Sequence, residues 1–113
     1  MANSLETTLK YSDLLLLYQN LLSDTQKEIL DDYFSYNLSI SEIAENREIS
    51  RSAVEDAIKK GKKKLDQLEK EIGNLQVLNI IYQMKSDATD EKVIASLEEI
   101  ERIMKHGIWI LKW

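Results

Sequence analysis

The stretch from Ser50 to Lys63 holds the side chains of this sequence best suited to meeting a ligand. Arg51, Lys59, Lys60, Lys62 and Lys63 fall within it, beside Ser50, Ser52, Glu55 and Asp56. Cations repeated at helical spacing attract anions, and a phosphate backbone above all. On a helical wheel at about 100° per residue, Val54, Ala57, Ile58, Gly61 and Leu65 share one arc. Ser52, Glu55, Asp56, Lys59, Lys60 and Lys63 occupy the opposite arc, and Arg51 and Lys62 flank the boundary. A core face and a basic face are thus separated, as a helix that enters the major groove of DNA requires. A second reading stands beside this one. Glu55/Lys59 and Asp56/Lys60 are i, i+4 pairs in the favourable acid-first order, which stabilise an exposed helix or a protein-binding face with no nucleic acid involved.

Other chemistries lack their residues. The chain has no cysteine, which excludes disulfides, thiolate metal sites and cysteine nucleophiles. Its single histidine, His106, stands beside a helix end and is best read as a partner of the helix dipole. No glycine-rich phosphate loop, metal-ligand spacing or nucleophile with a positioned base occurs, so no catalytic residue, cofactor or metal is expected and the chain is not read as an enzyme.

The net charge of −5 argues against a protein that coats nucleic acid through bulk positive charge. The charge is unevenly placed. Residues 1–50 carry 3 basic and 9 acidic groups, residues 51–70 carry 7 and 4, and residues 71–113 carry 5 and 7. The one positive segment is the helix that carries the candidate site.

The elements that must position this helix can be read from the same sequence. With 113 residues, no proline and only three glycines, the chain lacks the turn residues of a many-stranded fold, and all-α is expected. Leu5, Leu9, Leu14, Leu17, Tyr18, Leu21 and Leu22 predict a first helix over residues 4–22. Ser23-Asp24-Thr25-Gln26 fits a capping box, and a second helix should run to about Asn37 with core pairs Ile29/Tyr33 and Leu30/Phe34. Ser39 and Glu42 form another capping box, and Ser50 is a further N-cap. Two helix starts eleven residues apart leave room for a two-turn helix, a tight turn and a new helix, the layout of a helix-turn-helix. Ser39 and Ser50 are better read as caps than as phosphate ligands, and the tyrosines as core or core-edge residues.

The last of these helices meets no stop signal before Ser86-Asp87-Ala88-Thr89-Asp90 and is predicted to continue from Arg51 to about Met84. Ile58, Gly61, Leu65, Leu68, Ile72, Leu75, Asn79 and Tyr82 mark a heptad-like seam along it, in which Asn79 could set the register of an oligomer and Gly73 could kink the helix. A final helix from Asp90 to Lys105 shows Val93, Leu97, Ile100 and Met104 on one face, with Gly107 as its C-cap. The apolar tail Ile108–Trp113 is expected to dock on this molecule or on a partner. The expected division is a helix-turn-helix domain over residues 1–70 and a C-terminal helical hairpin or oligomerisation arm over 71–113, with a homodimer through residues 65–113 as one use of the arm. No membrane span is expected, because Leu14–Tyr18 is far shorter than the ~20 apolar residues needed, and a cytoplasmic location follows.

The run Leu38-Ser39-Ile40-Ser41-Glu42-Ile43-Ala44-Glu45, then Ile49-Ser50-Arg51-Ser52-Ala53-Val54 and Asp56-Ala57-Ile58-Lys59, resembles the bacterial YlxM family. The likeness covers roughly residues 14–75. That family is similar in turn to the fourth conserved region of bacterial sigma factors, a helix-turn-helix that binds promoter DNA. The resemblance implies an all-α bundle without a β wing, extended by C-terminal helices, acting as a DNA-binding regulator. It also implies a link to the signal recognition particle pathway, drawn from gene neighbourhood, with that particle's protein or RNA as alternative partners. Carried over position by position, Ser50, Arg51, Ser52 and Glu55 would face base edges, and Lys59, Lys60 and Lys63 would contact the backbone. Ala44 matches the small residue that lets the two motif helices cross closely. Glu48 departs from the family, which commonly has a glycine there. A glutamate must accept a strained turn or lengthen it, and it adds negative charge near the DNA approach.

Overall fold

Ser4, Ser23, Ser39 and Ser50 each hold extended backbone immediately before a helix, and each side chain accepts a hydrogen bond from the amide three residues on. These caps open α1 (Leu5–Tyr18), α2 (Asp24–Leu30), α3 (Ile40–Arg47) and α4 (Arg51–Ile72) in the computed structural model, which describes residues 4–106. α5 (Asn74–Asp87) and α6 (Glu91–His106) complete an all-α chain with no strand among the described residues. The capping box at Ser39 is closed on both sides. Its hydroxyl accepts from the Glu42 amide at 3.1 Å, and Glu42 accepts from the Ser39 amide at 2.9 Å. That backbone bond holds the Glu42 carboxyl below its ordinary pKa.

The first two helices are shorter than the sequence suggests. α1 ends at Tyr18 and passes into a 3₁₀ turn, Gln19–Leu21. Its neighbours cover it fully only from Tyr11 onward, so Tyr11, Leu14, Leu15 and Tyr18 are buried while Leu5, Leu9 and Leu21 stay exposed despite matching the apolar spacing. α2 gives way after Leu30 to a π-helical turn, Asp31–Ser35, closed by the Tyr36 amide on the Asp31 carbonyl at 3.0 Å. Phe34 on this turn is buried, stacks on Tyr11 at 5.1 Å and meets the edge of Tyr33 at 4.9 Å.

One apolar cluster joins these parts: the buried side of α1, Ile29, Leu30 and Phe34, then Ile43 and Ala44 of α3, and Val54, Ile58 and Leu65 of α4. Gly61 lets α4 lie close to α2. A Cβ there would stand 2.5 Å from Leu30 Cδ1, well inside van der Waals contact.

The continuous helix expected from Arg51 to Met84 is broken. Gly73 takes a left-handed conformation at φ 78°, ending α4 and starting α5. The break has partners on both sides. Glu69 of α4 accepts from the Leu75 and Gln76 amides at 2.9 and 3.2 Å and from the Tyr18 hydroxyl at 2.7 Å, while the Tyr18 oxygen accepts from the Asn74 amide at 3.1 Å. The three free N–H groups of Asn74, Leu75 and Gln76 at the start of α5 are thereby matched. Burial and the Glu69 carboxylate push the Tyr18 phenol up to about 12.

The break also ends the heptad seam. Ile72 and Asn79 are exposed, and Leu78 and Ile81 carry the burial in α5 instead. α6 starts one residue after Asp90, whose carboxylate accepts from the Lys92 amide at 2.8 Å. Of its expected apolar face, Leu97 is buried and Met104 half-buried, whereas Val93 and Ile100 are exposed. Glu101 of α6 joins the hairpin by accepting from Lys85 at 3.0 Å and from Lys105 at 3.1 Å. Gly107 and the tail Ile108–Trp113 lie outside the described residues. No helix among the described residues is long and apolar enough to cross a membrane.

Candidate nucleic-acid interface

The turn between α3 and α4 sets the angle at which α4 is presented. Glu48 adopts the left-handed conformation, φ 56° and ψ 44°, that glycine usually supplies at a helix end. The Ile49 amide donates to the Ala44 carbonyl at 3.1 Å and the Glu48 amide to the Glu45 carbonyl at 3.3 Å, the two bonds of a Schellman motif. Of the two outcomes open to a glutamate here, the chain takes the strained one. Ala44 is buried where α3 packs on α4.

α4 then begins at its capped end. Ser50 is exposed and its hydroxyl is engaged by the Ala53 amide at 3.0 Å. Arg51 and Ser52 follow on the exposed first turn. Val54, Ile58, Gly61 and Leu65 are buried, so the arc assigned to the core is the arc that faces it. Glu55, Lys59, Lys60 and Lys63 are exposed on the other side.

The charged residues of that side differ in what they touch. Lys60 is bound to Asp56 at 3.0 Å, as the i, i+4 spacing suggests. The companion pair Glu55/Lys59 is not formed, and Arg51, Lys59 and Lys63 have no ion-pair partner among the described residues. Lys62, on the flank of the wheel, lies with its ammonium 5.0 Å over the Tyr11 ring. The Tyr11 hydroxyl donates to Asp66 at 2.9 Å, and burial together with that carboxylate raises the phenol to about 12. Arg47 of α3 is held by Asp32 at 2.7 Å and Glu28 at 3.2 Å, which leaves it little charge to offer a ligand.

Glu55, Lys59 and Lys63 line one groove of about 560 Å³ along α4, whose opposite wall is Tyr33 and Ile40. Lys62, Asp66, Gln67 and Lys70 extend it. Lys60 does not line this groove; with Lys63 and Lys64 it borders an adjoining hollow of about 410 Å³. Ser50, Arg51 and Ser52 line neither and sit at the helix start. Lys70 and the walls Tyr33 and Ile40 are not among the site residues expected from sequence. Lys70 continues the Lys59, Lys62, Lys63 spacing and could have been found by extending the wheel, but the two walls come from segments whose approach no local pattern reveals. No group of acidic, histidine or cysteine side chains among the described residues is arranged to hold a metal ion.

A short helix, a Schellman turn and a longer helix with a capped, exposed start define a helix-turn-helix protein. Residues 5–105 match the family described as "Putative helix-turn-helix protein, YlxM / p13 like", UPF0122, and the chain belongs to that family. It is 40% identical to the UPF0122 protein of Mycoplasma capricolum over 103 residues, covering 87% of this chain and 91% of the relative. The UPF0122 protein of Fusobacterium nucleatum is 36% identical over 106 residues, covering 90% and 96%. That of Lactococcus lactis subsp. lactis, YofM, is 36% identical over 104 residues, covering 88% and 94%.

Proposed function

We propose that this protein is a DNA-binding regulator without catalytic activity, which reads DNA with the helix beginning at Arg51. The observation that carries the reading is the exposed basic side of α4, where Arg51 at the capped start and Lys59 and Lys63 opposite the core have no ion-pair partner among the described residues. Ser50, Arg51, Ser52 and Glu55 face base edges, and Lys59, Lys60 and Lys63 hold the phosphate backbone. Lys60 contributes least, since Asp56 already neutralises it. The exposed carboxylates Glu42, Glu45 and Glu48 on and after α3 repel a backbone that approaches off register, which favours selective over indiscriminate contact.

Fluorescence anisotropy against random and genomic DNA pools tests this. With about four to six phosphate contacts per protomer, log affinity falls with log salt at a slope of about −4 to −5. Lys59→Glu/Lys63→Glu removes the binding while circular dichroism stays unchanged. Absence of binding by the parent chain at low salt sinks the proposal.

The second reading, an interaction module of the signal recognition particle system, is favoured by the basic residues that continue along α4 to Lys70, past the part a DNA groove would reach. A homodimer through residues 65–113 and a cytoplasmic location belong to the same reading. Titration of the full chain with the purified particle GTPase and, separately, its RNA distinguishes the partners; no response to either removes this reading.

A further inference from the structure

The groove beside α4 has a composition that DNA contact does not explain. Its floor and wall are apolar, made by Tyr33, Ile40 and Ile58, and its rim carries Lys59, Lys63 and Lys70. It is an open groove of about 560 Å³. From Glu55 to Lys70 it follows α4 for about 22 Å, the length of a helix of about fifteen residues. Lys70 lies about 28 Å along the helix from Arg51, so the groove's far end is remote from the end proposed to read DNA.

The rim charge is available. Lys59, Lys63 and Lys70 have no ion pair among the described residues. Of the two acids on the lining, Asp66 is already engaged by the Tyr11 hydroxyl and by Lys10 at 3.6 Å, leaving Glu55 at one end. Lys62 also lines the groove, with its ammonium held over the Tyr11 ring.

We infer that this groove is a docking site for an acidic amphipathic segment of a partner protein, whose apolar side chains seat on Tyr33, Ile40 and Ile58 while its carboxylates meet Lys59, Lys63 and Lys70. Charge complementarity selects the sign of the partner, and the apolar floor selects a polypeptide. A nucleic-acid backbone would satisfy the lysines and leave that floor bare, whereas an i, i+3, i+4 row of Leu or Phe fills it. The site is distinct from the Arg51 end of α4 but shares Lys59 and Lys63 with it.

The probe is a fluorescein-labelled helical peptide of about fifteen residues with leucine along one face and glutamate on both flanks. Its control has the same charge and alanine in place of every leucine. Both are titrated into the full chain, in parallel with duplex DNA and a single-stranded RNA oligonucleotide. The leucine peptide binds at least tenfold more tightly than the alanine peptide. Lys70→Glu weakens it at least fivefold and leaves DNA binding intact, while Arg51→Ala weakens DNA binding and leaves the peptide unaffected. Lys70 and Arg51 are both exposed, and unchanged helicity of each variant confirms folding. Equal affinity for the two peptides, or indifference of the leucine peptide to Lys70→Glu, overturns the inference. So does Lys70-dependent binding of the RNA in place of the peptide. Loss of DNA binding with peptide binding retained would instead remove the DNA reading alone.

Discussion

At the scale of single residues, Glu48 sets two properties at once. A side chain at φ 56° places its Cβ against the following carbonyl, which costs roughly 1–2 kcal/mol that glycine would not incur. Glu48→Gly is therefore expected to stabilise the protein by about 1 kcal/mol, raising the melting temperature by about 4 °C in a chain of this size. It also removes a negative charge from the turn that leads into Arg51, so DNA affinity should rise. Glu48→Ala separates the two effects, because it removes the charge and keeps the strain. Thermal melts and anisotropy on both variants give affinity gains in both and a stability gain in the glycine variant alone; a glycine variant no more stable than the parent refutes the strain. The exposure of the site residues on α4 was legible from helical period, since Val54, Ile58, Gly61 and Leu65 fix where the opposite face must be. What each lysine touches was not. The partner of Lys62 is a ring on α1, and the difference between a paired Lys60 and an unpaired Lys59 depends on side-chain geometry that identical i, i+4 spacing does not distinguish.

At the scale of elements, the helix starts followed directly from local chemistry, because a serine cap and its amide are three residues apart and need nothing else. Ser23, Ser39 and Ser50 all cap, although of the two capping boxes expected only that of Ser39 and Glu42 is closed on both sides and Gln26 does not return the bond to Ser23. The ends and the break were harder to read. Gly73 permits a left-handed turn but does not compel one. What makes it favourable is Tyr18, 51 residues from Glu69 in the chain, whose hydroxyl joins Glu69 in completing the start of α5. The long seam failed for the same reason: its spacing continues through a point where tertiary hydrogen bonds reset the helix. Gly61 is the element-scale counterpart in which sequence position and packing agree. Gly61→Ala gains about 1 kcal/mol of helix propensity but drives a methyl into Leu30, and overpacking of this kind costs about 1–3 kcal/mol. Leu30 is fully buried and has little room to retreat. The expected result is a net loss of about 1 kcal/mol in chemical denaturation, with DNA affinity per folded molecule unchanged; a stabilised variant would mean that α2 and α4 separate at little cost.

For the whole molecule, the central question is how firmly the α5–α6 hairpin is joined to the helix-turn-helix unit. The cluster running from Tyr11 to Leu65 does not include Leu78, Ile81 or Leu97, although Leu75 packs on its edge. We propose that residues 1–70 and 71–113 nevertheless open as two units, the second resting on α1 through both of its helices and braced internally by its own contacts and by polar links. Glu101 is the centre of those links. Burial pushes its carboxyl upward, but hydrogen bonds and charge from Lys85 and Lys105 outweigh this and hold it below its ordinary value. A carboxyl with a lowered folded pKa contributes stability above its unfolded pKa, about 4.3, and loses it as pH falls through the lower folded value. Asp13 of α1 works in the other direction. Burial raises its pKa, opposed by Lys105 and aided by Glu101, so its protonation in acid relieves a cost. Because Glu101 and Lys105 remain partly exposed to solvent, their joint contribution is discounted to about 1 kcal/mol at most, or about a fivefold change in the opening equilibrium. Hydrogen exchange corrected for intrinsic rates should therefore show α5 and α6 losing up to about fivefold protection between neutral pH and pH of about 3, with α4 protected throughout. Glu101→Gln should show that loss already at neutral pH and little further change in acid. If α4 and α6 lose protection together in the parent chain, the hairpin is not a separate unit, and the two halves open as one.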